Sequence, residues 1–224
     1  QLEDSITEFR QALSLRNGND AESHHKLGRV LYEMGVVQEA WAGVESAIPM
    51  DEVVETDAFS LFAAPAYAET LQSAARTPEG LLSAHLRGLR PRDYCAILAY
   101  LEMNAANQQE LQDLRRGVRD THRVATTLGY GPRFLHSTGQ LHKGGPDTGV
   151  FLQITAASAE SVAIPGRAYD FGLLQRFQAG GDFAVLAARG RRALRVHLRG
   201  DVPRSLARLR QLVSAIPPSH STRP

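Results

Sequence analysis

The sequence predicts an α/β protein, a doubly wound parallel sheet with helices on both faces, preceded by an all-α segment. Three observations carry that expectation. A continuous apolar run from Tyr94 to Leu101, bounded by Pro91 and Asn104, suits a strand buried on both faces. Strand-like and helix-like stretches alternate after it, the pattern of parallel pairing with right-handed crossovers. Before residue 51 the apolar spacing is helical.

Taken in order, Leu2, Ile6, Phe9 and Leu13 recur at helical spacing, and Asn17-Gly18-Asn19-Asp20 breaks and recaps the chain with Asp20 as N-cap. A second helix carries Leu27, Val30, Leu31 and Met34 and stops at Gly35. A third carries Ala40, Val44, Ala47 and Ile48 before Pro49. The run Leu27-Gly28, Tyr32, Gly35, Glu39-Ala40 and Ala47-Ile48 resembles a tetratricopeptide repeat, with Gly28 and Ala40 where two helices of such a repeat pack closely. For residues 1–50 that resemblance implies a surface for a protein partner. The residues alone equally describe an N-terminal hairpin that only packs. Since one repeat cannot bury its apolar face, either more repeats precede it or these helices dock on the rest of the chain.

Residues 51–90 are Ala-rich and broken by Pro65 and Pro78, which predicts a helical connector with helices at 66–75 and 78–89. Thr77 caps the second helix, and Pro78 takes its first position. Composition changes at Arg90-Pro91-Arg92-Asp93, where an α/β domain over 91–213 is expected to open. Its strands are predicted at 94–101, 123–128, 149–155 and 192–198, and its helices at 108–118, 171–179, 183–189 and 203–216. Residues 214–224, ending in Pro217 to Pro224, read as a disordered tail.

The 25 basic and 24 acidic side chains leave a net charge of +1, which argues against a dedicated nucleic-acid binder. No stretch approaches the ~18 apolar residues of a membrane span, and the first twenty residues are polar and acidic, unlike a signal peptide, so the cytoplasm is expected. The chain opens at Gln1 rather than Met, as a fragment or processed chain would. Cys95 is the single cysteine and lies in the apolar run, so it reads as core, with no Cys-based metal site. The only lysines are Lys26, on an exposed helix face, and Lys143. Arg189, Arg191, Arg192, Arg195, Arg199, Arg204, Arg208 and Arg210 have only Asp201 as a nearby acid. They read as the solvated faces of a strand and a helix, without the interleaved aromatics that base stacking needs.

The chemistry concentrates in Gly129 to Pro146, which starts where a parallel strand ends; open α/β sheets bind ligands at the carboxyl ends of their strands. Gly139, Gly144 and Gly145 are among five glycines that allow close backbone approach. Arg133, Ser137, Thr138 and Gln140 offer hydrogen bonds to phosphate or sugar hydroxyls. His142 beside Lys143 pairs a proton carrier with a fixed cation. Anionic, polyhydroxylated ligands suit that mixture. The glycines match neither a Walker loop nor the dinucleotide fingerprint. Other readings stand beside these: His136 as a partner of backbone carbonyls, and Ser137 and Thr138 as caps of a short helix.

The string GPRFLHSTGQLHKGGPDTGVFLQIT, with PRDYCAILAYL before it and IPGRAYDFGLLQ plus LRVHL after it, resembles the C-terminal part of bacterial bifunctional transaldolase/phosphoglucose isomerase proteins over roughly residues 55–212. The resemblance implies sugar-isomerase (SIS) type folding and interconversion of glucose 6-phosphate and fructose 6-phosphate through a cis-enediol, with no cofactor and no metal. It implies His142 as the ring-opening group, with His136 as substitute, and Lys143 as electrostatic partner. Arg133, Ser137, Thr138, Gly139, Gln140, Gly144 and Gly145 would bind the hexose 6-phosphate.

Departures from the family are specific. Ordinary phosphoglucose isomerases carry Gly-Thr-Asn-Gly-Gln-His, whereas in Ser137-Thr138-Gly139-Gln140-Leu141-His142 one residue intervenes before the histidine. Their carboxylate stretch, of the Met-Glu-Ser-Asn-Gly-Lys type, has no counterpart, and Glu102-Met103-Asn104 differs too much to serve. The phosphate loop of the first SIS domain and the transaldolase half are absent. The expectation is therefore a partial isomerase, completed by a partner SIS domain or in a homodimer. The alternative is a non-catalytic phosphosugar-binding module joined to a protein-interaction segment.

Overall fold

A computed structural model of the chain describes residues 50–157, 162–166 and 169–218, and also leaves out the His136 side chain. The tetratricopeptide-like reading lies outside the described residues apart from Met50, and so does the tail beyond Pro218. The elements are β1 (Asp51–Glu55), β2 (Phe59–Ala63), α1 (Pro65–Ala74), α2 (Pro78–Arg87), β3 (Tyr94–Tyr100), α3 (Ala105–His122) and β4 (Ala125–Tyr130). There follow a 3-10 turn (Arg133–His136), α4 (Thr138–Gly144), β5 (Gly149–Ala156), α5 (Phe171–Ala188), β6 (Arg192–Leu198) and α6 (Val202–Ser214).

One six-stranded sheet runs in the order β1-β2-β6-β5-β3-β4. The four strands β6, β5, β3 and β4 are parallel, and β2 joins β6 antiparallel, with β1 outermost. Because β4 and β5 lie on opposite sides of β3, the winding reverses there. None of the described helices is long and apolar enough to cross a membrane.

Strand alternation sorts the core onto two faces. The first face presents Phe59 and Leu61 of β2, Cys95, Ile97 and Ala99 of β3, and Leu152, Leu194 and Val196 of β5 and β6. It is covered by Leu71, Leu82, Leu111 and Leu209 from α1, α2, α3 and α6. The second face packs Ala96, Leu98 and Tyr100 of β3, with Phe151 and Ala193, against Ala179, Phe183 and Leu186 of α5 and Phe134 of the 3-10 turn. Toward its carboxyl end this face turns polar, with Gln153, Thr155, Arg195 and His197 alternating with the first-face residues.

Local chemistry explains the element ends. The Thr77 hydroxyl accepts from Gly80 N–H at 3.1 Å, with Pro78 behind it, and starts α2. Asn104 accepts from Asn107 N–H at 2.9 Å to start α3, which Arg123 ends in a left-handed conformation at φ 54. Asp170 and Asp201 start α5 and α6 in the same way as Asn104. His85 is fully buried in α2 with its Nδ1 2.9 Å from the Tyr67 hydroxyl of α1; desolvation first, then Arg192, hold its pKa down at about 3.

Two expectations give way. Residues 51–63, expected in a helical connector, form β1 and β2, and four of the five residues of β2 are buried. Thr56 makes the turn between them, its hydroxyl donating to Phe59 O at 2.7 Å and accepting from Phe59 N–H at 3.0 Å. The paired helices expected at 171–179 and 183–189 are one helix, α5, which passes through Gly180-Gly181. Each internal glycine costs about 1 kcal/mol in helix propensity; burial of Ala179, Phe183 and Leu186 on one side outweighs that.

The arginines of the carboxyl-terminal third also depart from a solvated reading. The Arg192 side chain is 11% exposed and its Nη1 donates to Asp93 Oδ2 at 2.7 Å and to Gly88 O at 2.8 Å. Arg191 is buried as well, and Arg195 is half-buried. Arg210, half-buried, pairs with Glu110. Arg189, Arg199, Arg204 and Arg208 are exposed as expected, Arg199 and Arg208 pairing there with Glu55 and Glu79, acids remote in the sequence.

Burial pushes the Asp93 carboxyl up, but the Arg192 hydrogen bond and the Arg90 amide outweigh it and hold the carboxyl below its ordinary 3.8. A depressed folded-state pKa contributes stability above the unfolded value that is lost as pH falls through the folded one. In Asp93→Asn, Arg192 stays buried without its counter-ion, a loss of about 3 kcal/mol at neutral pH. Urea unfolding should show that deficit at pH 7 and a narrowing gap to the parent as pH drops below about 4. A gap independent of pH would exclude this account.

Candidate functional site

Parallel β4 and β5 oblige the chain to return from the carboxyl end of the sheet to its amino end, and the Gly129–Pro146 segment makes that return. Gly131 passes over the Tyr100 ring so closely that any Cβ would overlap it. The 3-10 turn then sends Phe134 into the core, edge-on to Tyr100 with centroids 5.6 Å apart. Gly139 is buried, and a Cβ there would stand 2.9 Å from Phe134 O, closer than a side chain tolerates. From this anchor α4 crosses the second face.

At the upper end of the segment the predicted binding residues are exposed: Arg133, Ser137, Thr138 and Gln140. Arg133 Nη2 lies 2.6 Å from Met103 Sδ, which rises from the end of β3. Gln140 Nε2 donates to Leu135 O at 3.3 Å. Ser137 stands at the N-cap position of α4 without a capping hydrogen bond, so the reading of Ser137 as a cap is not realised. The His136 side chain lies outside what is described. Gly144 is exposed and Gly145 half-buried at the far end.

His142 does not stand in a crevice at the carboxyl ends of the strands. The crossover delivers the last turn of α4 to the amino ends, where His142 Nδ1 lies 2.9 Å from the hydroxyl of Tyr94, the first residue of β3. The imidazole stacks on Tyr94 at 5.6 Å and 28° and meets the Phe151 edge at 5.3 Å. Burial lowers its pKa; Asp182 opposes that shift and Lys143 adds to it, so the ring is neutral at pH 7. Arg191 fixes this end of α4 by donating to Lys143 O at 3.1 Å and Gly145 O at 2.5 Å, with Asp147 3.2 Å from its Nη1.

Lys143 turns inward. Its Nζ lies 2.7 Å from Asp182 Oδ1 of α5, and the Asp182 side chain is only 1% exposed against 20% for Lys143. Around this pair, Gln153 Nε2 donates to Ala179 O at 3.0 Å and lies 3.5 Å from Asp182 Oδ2. Arg195 Nε donates to Gln153 Oε1 at 2.6 Å, its Nη2 donates to Ala179 O at 2.9 Å, and its guanidinium lies over the Phe183 ring. Burial and then the Asp182 charge push the Tyr100 phenol up, although its hydroxyl makes no well-formed hydrogen bond. The result is a polar cluster of Lys143, Asp182, Gln153 and Arg195 under the sheet face, with His142 adjacent to Lys143 in the chain and held on Tyr94. Among the described residues no group of three or more His, Cys, Asp or Glu side chains could hold a metal ion.

The carboxylate that meets Lys143 is Asp182, which the sequence did not single out. A signal for it exists: Asp182 is the only acid among the 18 residues of α5 and shares the apolar stripe of Ala179, Phe183 and Leu186. Gln153 and Arg195, whose partners lie on other elements, carry no such mark.

No protein-family profile and no curated protein matches the chain. Among solved structures, a hypothetical protein from Thermus thermophilus is similar at 18% identity and a TM-score of 0.49, over 66% of this chain and 41% of that one. The chain thus spans about two-fifths of that protein's length.

Removing Lys143 should strand a buried carboxylate. Lys143→Met is expected to destabilise the fold by about 3 kcal/mol. The double variant Lys143→Met, Asp182→Leu should lose less than the two single losses added, because the stranded charge goes too. Urea unfolding of the four proteins measures this; strict additivity would mean that the pair is uncoupled.

Proposed function

We propose that the chain forms one half of a hexose-phosphate site of the phosphoglucose isomerase type, interconverting glucose 6-phosphate and fructose 6-phosphate once a second SIS-type domain or a second copy completes it. The observation that carries this reading is the meeting of Asp182 with Lys143 beside His142. Aldose–ketose isomerisation through an enediol needs a group that opens the ring, a base that moves a proton between C1 and C2, and a cation for the developing oxyanion. Those three kinds of group converge here from α4 and α5. The exposed Arg133, Ser137, Thr138 and Gln140 supply a guanidinium fork, hydroxyls and an amide for phosphate and sugar hydroxyls. A mostly parallel sheet that reverses its winding at β3 is compatible with a SIS-type fold. In this reading residues 1–50 recruit a protein partner, and the setting is the cytoplasm, where the buried Cys95 stays a free thiol with its pKa pushed up by burial to about 12.

His142 is 3% exposed and the Asp182 side chain 1%, so a sugar reaches the groups that would move its protons only after the packing around them rearranges. That same burial favours a second reading, a phosphosugar-binding module that does not turn over its ligand.

A coupled assay separates the two. The full chain mixed with a protein carrying a first SIS domain is expected to convert fructose 6-phosphate to glucose 6-phosphate, and His142→Ala to lower the rate by about 100-fold or more. Unchanged activity in that variant would remove His142 from the chemistry. A rise in Tm with fructose 6-phosphate and no turnover in any mixture would select the binding module. Neither response would exclude both.

A further inference from the structure

The helix α5 is uncharged on its outward side as well as apolar on its inward one. Inward it buries Ala179, Phe183 and Leu186, together with Asp182. Leu174, Gln178, Gly181, Val185 and Ala188 follow one another along the opposite side at spacings of three and four residues, and none of them is buried. Over residues 177–188 the only charged side chain is Asp182, and it turns inward to Lys143. The helices of the first face are built otherwise: α3 exposes Arg116, Arg119 and Asp120, and α6 exposes Arg204 and Arg208. A helix with no charged side belongs between two layers. Yet among the described residues Leu174, Val185 and Ala188 join no hydrophobic cluster, and a Cβ built on Gly181 would meet nothing within 4 Å.

The chain reaches the sheet beside this row. Residues 1–49 join the described chain at Met50, which packs against the same second-face cluster as Ala184 and Ala187 of α5. Asp51 pairs with Ala63 and Ala63 with Leu194, so β1 starts at the amino end of the parallel strands, the end at which α5 finishes. Immediately before Met50, Val37, Trp41, Val44 and Ile48 recur at helical spacing, with the small Ala40 and Ala47 beside them. A helix over 37–48 is about 18 Å long, close to the roughly 21 Å from Leu174 to Ala188 along α5.

We infer that residues 37–48 seat as a helix on the outward row of α5, antiparallel to it, with Ile48 by Ala188, Val44 by Val185 and Trp41 over Gly181. The direction follows from the join at Met50, which puts Ile48 at the end where α5 finishes. The largest side chain of the segment then meets the position that has none. Pro49 alone separates the segment from Met50, and so short a tether gives an effective concentration on the order of millimolar, which favours this occupant over a second copy of the chain. The seat supplies the layer that α5 lacks and holds from behind the helix that carries Asp182 to Lys143. A surface for a protein partner would then lie on the residues before Val37.

Trp41 is the only tryptophan of the chain, so its fluorescence reports on the seat directly. In the full chain its emission is expected to be blue-shifted, and its quenching by acrylamide well below that of the urea-unfolded chain, both unchanged on dilution. Its indole protons should show NOEs to Gly181 Hα and the Val185 methyls. Gly181→Glu and Val185→Glu should each move emission and quenching toward the unfolded values, whereas Arg204→Glu, on the exposed side of α6, should leave them where they are. Circular dichroism matching the parent shows that a variant has kept its fold; where one has not, the NOEs of the parent decide. Trp41 as accessible as in the unfolded chain, shielding that ignores both glutamates in folded variants, indole NOEs to another element, or shielding lost on dilution as a dimer dissociates would each overturn the inference.

Discussion

Parallel pairing of β6, β5, β3 and β4 is the constraint from which the rest follows. A parallel neighbour can be reached only by carrying the chain back along the sheet, so every crossover brings side chains from the carboxyl end to the amino end. The α4 crossover therefore leaves Arg133, Ser137 and Thr138 exposed near the end of β4 while it drives His142 under the face, against Tyr94. The α5 crossover covers the same face and brings Asp182 to Lys143. Two segments some forty residues apart meet because both must make the same return.

What they meet over is a half-polar surface. The first face is filled with aliphatic side chains from four helices, whereas the second changes from Phe151 and Ala193 to Gln153 and Arg195 along its strands. Buried polar groups are costly unless paired, and apart from the Tyr100 hydroxyl those of this cluster have partners from other elements: Asp182 with Lys143, Gln153 with Arg195, and both Gln153 and Arg195 with Ala179 O. Ion pairs at this depth contribute little net stability against apolar packing, which makes their presence in a core a functional question more than a structural one. At the amino ends, Arg191 and Arg192 have a different role, tying the end of α4, the α2–β3 loop and Asp147 to the start of β6.

Periodicity made the interior strands legible. Arg192–Leu198 runs as predicted, and β3 begins at Tyr94 as expected, because continuous apolar runs between breakers have few alternative uses. The β1–β2 hairpin escaped because Asp51-Glu52-Val53-Val54-Glu55 carries three acids in five residues. Charge on an outermost strand protects the sheet edge while erasing its hydrophobic signature. Gly180-Gly181 suggested a break that tertiary burial suppresses. Of the site, His142 and Lys143 were legible as residues but not as positions, since the sequence pattern does not say which end of a crossover helix reaches the strands' amino ends. Arg192 looked solvated because its partner Asp93 is 99 residues away.

The proposed function makes Arg133–Lys143 and the Asp182 cluster behind it a phosphosugar surface. Amide chemical-shift mapping of the full chain with fructose 6-phosphate tests that most directly. Saturable shifts concentrated between Arg133 and Lys143, with a response at Asp182, are the predicted result. Saturable shifts confined to other parts of the sheet, or none at all, would contradict it.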